Sequence, residues 1–297
     1  MAGALIVFRK ELGDHLVSQR IYIIALLVYL ISISMTYSSI MGLWGNFSRS
    51  EGENLFLKLF TSQQGLVPSF LGFIAFFGPL IGLILVFDAV NRESNQGSMG
   101  LVLSQPIHKD SMIIGKFAAT VATVMLILST VFIFTIGMGM ATLGAFPTLE
   151  EMTRITVFLI FSGVYLSFWI GLGLLYSIYF RREGTSALAS IATWLFFTLF
   201  YYMIADFLTN VGASSDFIVY TSPSEIYLRA SSVIMEPLIR VLGPVSYEKM
   251  SMMLASPLSI GDSLLIIWPH LTALTAGMII IFIVSYIGFI RQEIRST

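Results

Sequence analysis

The stretch DAVNRESNQGSMGLVLSQPIHKDSMIIGK, Asp88 to Lys116, separates two long apolar runs, and its reading decides the fold. It opens on polar residues, Arg92, Glu93, Asn95 and Gln96, then Gly97-Ser98. A short apolar run from Met99 to Leu103 follows, then Ser104, and Pro106 stops any helix begun at Ser98. The pattern predicts a helix of about two turns, too short to cross a bilayer. On a helical wheel Met99, Val102 and Leu103 fall together, with Gly100, Leu101 and Ser104 turned the other way. One face is then free to rest on neighbouring helices while the other is offered to something soluble. A solvated hairpin between two membrane spans fits the same pattern.

The flanking runs are characteristic of the whole chain. Of its 297 residues 56% are hydrophobic and only 11% charged, with mean hydropathy +0.87, whereas a soluble domain carries about 25% charged residues. The composition is that of an integral membrane protein. A net charge of −1 leaves no electrostatic footprint for nucleic acid. The absence of cysteine removes disulfides, thiolate metal sites and cysteine nucleophiles together. No Gly-x-x-x-x-Gly-Lys-Ser/Thr loop occurs, because Gly115-Lys116 runs on into Phe117 within an apolar helix. If ATP drives this protein, another chain binds it.

Six spans are expected, at about 21–43, 67–87, 117–143, 155–180, 185–208 and 264–290, each long enough for a hydrocarbon core of about 30 Å. Six spans put both termini on one side. Ten of the 16 Lys and Arg residues, among them Arg9, Lys10, Arg20, Arg92, Lys109 and Lys116, fall on that side or in its loops, so it is read as cytoplasmic. Residues 1–20 precede the first span. Leu5, Phe8, Leu12 and Leu16 share one helical face opposite Lys10, Asp14 and Ser18, the pattern of an interfacial amphipathic helix on membrane lipid. Gly78-Pro79 with Gly82, Gly137 with Gly139, and Gly171 with Gly173 are placed to allow close helix approach or kinking.

Glu93, Gly97-Ser98, Leu101, Leu103, Ser104, Pro106, Lys109 and Gly115-Lys116, together with the number and order of spans, resemble the ABC-2 type permeases, membrane subunits of one class of ATP-binding-cassette transporters. Phe8-Arg9-Lys10-Glu11-Leu12 is similar to their opening helix. Ser98 stands where threonine is usual, and keeps the capping hydroxyl; Gly100 stands where an acidic residue often follows. The resemblance implies one transmembrane domain over residues 1–297, all α-helical, with an interfacial helix at 1–20, a cytoplasmic coupling helix within 88–116 and an extracellular loop at 209–263. It implies that Glu93, Gly97, Ser98, Leu101, Ser104, Pro106 and Lys109 serve docking on the ATPase. It also implies two copies of that ATPase, which would bind ATP and Mg, and a second permease copy or paralogue, met through the first and fifth spans. No catalytic, cofactor or metal residue is expected in this chain, and the cell membrane is the expected site, in a prokaryote.

What the spans lack agrees with an external motor. Ion-coupled transporters place acidic or basic groups near the bilayer centre, whereas Asp88 lies at an inner end and Asp206 near an outer one. A secondary transporter is therefore disfavoured. A membrane scaffold recruiting a soluble partner through the same inner loop remains the alternative. His15, His108 and His270 lie far apart in this topology, and no Gly-x-Ser-x-Gly serine is present. Met250, Met252 and Met253 offer thioethers, which are soft Cu(I) ligands but more commonly apolar packing groups.

Residues 209–263 are long for a connection with no structure of its own. Ser222-Pro223-Ser224-Glu225 predicts a helix start, with serine at the N-cap, proline first and glutamate third. Tyr227, Ala230, Ile234, Leu238 and Val241 continue one apolar stripe. Glu225 with Arg229, and Glu236 with Arg240, are spaced to pair four apart on the opposite face. Pro237 is expected to break this helix, and a second one is expected at about 246–255. A solvated face of charge pairs over a buried aliphatic face describes a lid over the outer mouth of the spans.

Overall fold

The computed structural model describes residues 2–45, 54–63, 65, 67–95, 109–210, 222–237 and 258–291. Regular structure among them is helical: α1 (Ala2–Val17), α2 (Gln19–Gly45), α3 (Leu55–Thr61), α4 (Phe70–Val86), α5 (Asn91–Asn95), α6 (Lys109–Leu143), α7 (Leu149–Tyr179), α8 (Glu183–Leu195), α9 (Tyr201–Asn210), α10 (Pro223–Met235) and α11 (Ile260–Arg291). A wide π-helical turn, Phe196–Phe200, joins α8 to α9. Six stretches are long and apolar enough to cross a membrane: Gln19–Trp44, Phe70–Asn95, Lys109–Leu143, Leu149–Tyr179, Glu183–Leu208 and Ile260–Arg291. They match the six expected spans in number and order. An even number places α1 and the end of α11 at one end of the bundle with α5 and the α7–α8 turn, here the proximal end. The distal end carries α3, the α6–α7 turn and the last residues of α10.

α7 is the axis of the bundle, touched by α3, α4, α6, α8, α10 and α11. A Thr148 capping box starts it: the Thr148 hydroxyl accepts from Glu151 N, and the Glu151 carboxylate accepts from Thr148 N. The other Glu151 oxygen accepts from Phe56 N at 2.9 Å, capping α3, whose own N-cap Asn54 supplies no side-chain bond. One carboxylate thus satisfies the orphan amides of two helices.

Small residues set the close α4–α7 crossing. A Cβ on Gly78 would come within 2.7 Å of Leu166, and one on Gly173 within 3.4 Å of the Leu83 backbone. Gly137, by contrast, faces open space and plays no such part. Pro79 lies inside α4 and has no N–H to give the Ala75 carbonyl four residues back. The Tyr165 hydroxyl of α7 donates to that carbonyl at 2.8 Å, so the tyrosine replaces the bond the proline removes.

α1 does not stand apart from the bundle; it lies along α6. Its contact face is not the aliphatic stripe read from the sequence. Leu5 and Leu16 stay exposed, while Val7 is buried and Glu11 and His15 turn toward α6. The crossing is at Gly115, where a Cβ would meet Val7 side-chain atoms at 2.7 Å and the Phe8 backbone nitrogen at 3.1 Å. Gly115→Ala should therefore push α1 off α6 and cost about 1–3 kcal/mol, the usual range for overpacking. Limited trypsin cleavage at Arg9 and Lys10 in nanodiscs checks this: faster cleavage than in wild type is expected, and an unchanged rate contradicts it.

α10 is the main departure from expectation. The helix begins at Pro223 behind N-cap Ser222 and ends at Met235, with Glu236 as C-cap, so the stop before Pro237 is as anticipated. The Ser222 side chain makes no capping bond, however. The Glu225–Arg229 pair forms, but with side chains only 12% and 16% exposed it is not a solvated face. Pro223, Ser224, Tyr227, Ala230, Ser231, Val233, Ile234 and Met235 are all buried, among α3, α4, α7 and α11. The helix is enclosed on both faces because small serines alternate with its apolar residues. It is built into the bundle rather than laid over it. Leu238, Arg240, the expected helix at 246–255 and the Met250, Met252 and Met253 group lie outside the described residues.

Candidate functional site: a charged platform at the proximal end

α6 carries Lys116 two turns from its start, at the edge of an apolar run. An ammonium there is tolerable only if it is paired. Its side chain is 4% exposed, and Nζ donates to Glu93 Oε1 at 2.8 Å and to Glu11 Oε1 at 3.0 Å. Three elements, α1, α5 and α6, converge on that one atom. Lys10 extends the cluster outward, 3.0 Å from Glu11, 3.4 Å from Asp14 and 3.8 Å from Glu93.

A second cluster lies beside the first. Asp88, nearly enclosed, accepts from Arg20 at 2.7 Å and has Arg92, four residues on in the first turn of α5, at 3.8 Å. The Arg20 guanidinium also sits 5.7 Å from the centre of the Phe87 ring. The two clusters line a cleft of about 480 Å³ whose walls include Lys10, Asp14, His15, Arg20, Arg92 and Lys116.

The other side of α5 is tied to α7 and α8. Ser177 Oγ accepts from Val90 N at 2.8 Å and Asn91 N at 3.3 Å, where the helix start leaves amides without intrahelical partners. Asn91 Nδ2 donates to the Phe180 carbonyl and Asn95 Nδ2 to the Arg181 carbonyl, at 3.3 and 3.1 Å. Ser186 of α8 donates to the Phe87 carbonyl at 2.6 Å. The chain leaving Asn95 therefore departs from a rigid corner held by five helices.

Of the residues expected to serve the inner segment, Glu93 sits in the buried ion cluster and Lys109 begins α6. Gly97, Ser98, Leu101, Ser104 and Pro106 lie outside the described residues. The two described residues flank them on either side. Glu11, Asp88, Asn91, Ser177 and the role of Lys116 were not anticipated. A signal for the first existed: a lysine at the edge of an apolar run requires a carboxylate, and Glu11 is one of few on that side.

Along α10, Glu225 and Arg229 pair near its start, Ile234 is buried near its distal end, and Glu236 is its C-cap. Burial holds the Glu236 carboxyl above its usual range. Tyr227 stacks on Tyr165 with ring centres 4.2 Å apart and on Phe161 at 5.5 Å. Its hydroxyl bonds Ser162 Oγ at 2.7 Å. Arg154 of α7, wholly buried, bonds both α10 and the residues before α11. Among the described residues no group of His, Asp and Glu is placed to hold a metal ion.

Electrostatics favour a docked α1 near neutral pH. Burial raises the Glu11 carboxyl, but Lys116 and then Lys10 outweigh it and hold it below the ordinary value of 4.5. Burial also dominates at His15, whose Nε2 lies 3.2 Å from Thr120 Oγ1; it holds the imidazole below 6.5, with Glu11, Asp14 and Asp88 opposing and Lys116 assisting. Both shifts are downward, so both contributions are complete above the ordinary values and are lost as pH falls through the lowered ones. The thermal midpoint should decline from about pH 7.5 to below about pH 4.5, and His15→Asn should flatten the part of that decline above about pH 5.5. A midpoint independent of pH over this range contradicts the reading.

A family model described as "ABC-2 family transporter protein" matches residues 5–294. The chain is also similar to two proteins named "Probable ABC transporter permease protein NosY". It is 29% identical over 201 residues to that of Pseudomonas aeruginosa, covering 65% of this chain and 66% of the relative. It is 26% identical over 202 residues to that of Stutzerimonas stutzeri, covering 66% of this chain and 67% of the relative. The matched region spans about two thirds of each relative's length.

Proposed function

The chain belongs to the ABC-2 family of transporter proteins, and on that premise we propose that it is the permease subunit of an ABC transporter. It spans the plasma membrane of a prokaryote as one domain. ATP is bound and hydrolysed, with Mg, in two copies of a separate ATPase. A second permease, identical or paralogous, completes the pathway, and the cavity between them alternates between inward and outward openings. The proximal end is cytoplasmic, since most Lys and Arg residues lie there, and α1 rests at the membrane surface with Leu5 and Leu16 toward lipid.

The observation that carries this reading is the buried Glu11–Lys116–Glu93 cluster. It pins the end of α5 to α6 and α1, so that residues 96–108 leave and return to fixed points. A push on that segment is then transmitted to three helices at once rather than absorbed in a loose hairpin. Removing Lys116 would leave two carboxylates facing one another, at a cost of about 3 kcal/mol, the low end for breaking a buried pair. Family membership favours transport over a scaffold that merely recruits a soluble protein.

Within this reading Gly97, Ser98, Leu101, Ser104 and Pro106 form the docking helix, with Leu101 and Ser104 toward the ATPase. At the distal end Glu225, Arg229, Ile234, Glu236, Leu238 and Arg240 belong to the structure that shapes substrate exit. The test is co-purification with a Walker-motif ATPase encoded beside this chain, and ATPase activity of the pair in proteoliposomes. Leu101→Asp places a carboxylate in an apolar contact and should lower both by about tenfold, the effect of about 1.4 kcal/mol. If Leu101→Asp changes neither while Met99→Asp disrupts both, the assigned facing is wrong.

A further inference from the structure

α10 runs antiparallel to the distal half of α7 and is fastened to it along its length. At its first turn Ser224 Oγ meets Tyr165 OH at 2.9 Å, one turn on Tyr227 OH meets Ser162 Oγ at 2.7 Å, and at its last turn the Ile234 carbonyl meets Arg154 Nη1 at 2.8 Å. The Ile234 carbonyl is among those a helix end leaves without an intrahelical donor, and a cation there also complements the helix dipole. Arg154 spends its remaining donors on other elements: Nη1 also reaches Ser263 Oγ at 3.2 Å, Nη2 reaches the Leu258 carbonyl, and Nε reaches Glu150 Oε1 at 3.0 Å. Its side chain is 0% exposed. Four partners on three segments are thereby held by one planar group.

We infer that Arg154 is the positioning residue that joins α7, α10 and the start of α11 into a single wall, so that the distal opening moves as that wall and α10 does not swing out as a flap. The inference rests on the proposed transport reading for its function, though its geometry does not. A swinging α10 would take the Ile234 carbonyl away from an enclosed guanidinium and leave a buried donor without that acceptor. It would also part the Tyr165–Tyr227 stack and uncover the Ser224 hydroxyl. A lysine in place of Arg154 would keep the charge but lose the fork that reaches two carbonyls on different segments at once.

The natural absence of cysteine makes the test direct. Spin labels at Thr153→Cys on α7, which is exposed, and Ser232→Cys on α10, which is partly exposed, report the separation of the two helices. Distances are measured in nanodiscs, on the chain alone and with its ATPase in the presence and absence of a non-hydrolysable ATP analogue. The wild-type distance should be single and change by less than one helical turn, about 5 Å, on adding the analogue. Arg154→Ala and Arg154→Lys should both add a longer population. Glu150→Gln, which keeps an acceptor for Nε and leaves the bonds to α10 and to the start of α11 in place, should not. A wild-type distance that lengthens by more than a turn overturns the inference, as does an Arg154→Lys distribution identical to wild type. Should Arg154→Ala fail to fold, the wild-type and lysine arms still decide. An ATPase that neither binds nor responds would sink the transport reading, while the nucleotide-free comparison of wild type with Arg154→Lys still tests the wall.

Discussion

One ammonium between two carboxylates holds the proximal end together. Lys116 joins α1, α5 and α6 through Glu11 and Glu93, and neither the helical fold nor the hydrophobic effect alone would do so. Between helices surrounded by lipid there is little apolar driving force, because lipid tails are as apolar as leucine; close packing and polar contacts decide which helices meet. Gly115 and Lys116, adjacent in the chain, supply one of each: the glycine lets α1 approach, and the lysine fixes where it stops. Asp88 with Arg20 repeats the device for α2.

The same economy recurs at the distal end with a different group. Arg154, like Lys116, is a single buried cation whose partners come from several elements, but two of its four partners are backbone carbonyls, one is a hydroxyl and only one is a carboxylate. Among the described residues its one ion-pair partner is Glu150, whose own side chain is half-exposed while the guanidinium is enclosed. Between the two ends, the Pro79 gap in α4 is closed by Tyr165, which also bonds Ser224 and stacks on Tyr227. The helix interruption and the inserted helix are thus parts of one hydroxyl chain.

Much of the fold was legible in the sequence because length and apolarity alone specify a span: all six appear, and in the expected order. The start of α10 was legible from Ser222-Pro223, and its end from Pro237. The burial of both its faces was not, since Glu225 and Arg229 four apart read as solvated, and nothing local reveals that neighbouring helices enclose them. The aliphatic stripe of α1 was legible, and Leu5 and Leu16 stay exposed on it; that its other face, with Val7, Glu11 and His15, packs along α6 was not, because nothing local shows which helix receives it. Glu93, Gly115 and Lys116 stood out in the sequence as parts of one motif, but the cluster around Lys116 did not, because its pairing with Glu11 joins positions 105 residues apart in sequence and needed the fold.

In the proposed transporter the Lys116 cluster transmits force between residues 96–108 and the spans. Replacing the shared ammonium tests it most directly, by measuring substrate-independent ATPase activity of the assembled complex in proteoliposomes. Lys116→Met should uncouple the ATPase by leaving Glu11 and Glu93 without their common cation, whereas Lys116→Arg, which keeps a cation with donors for both carboxylates, should retain much of the coupling. A Lys116→Met variant that couples as well as wild type, in complexes that still assemble, would contradict this role.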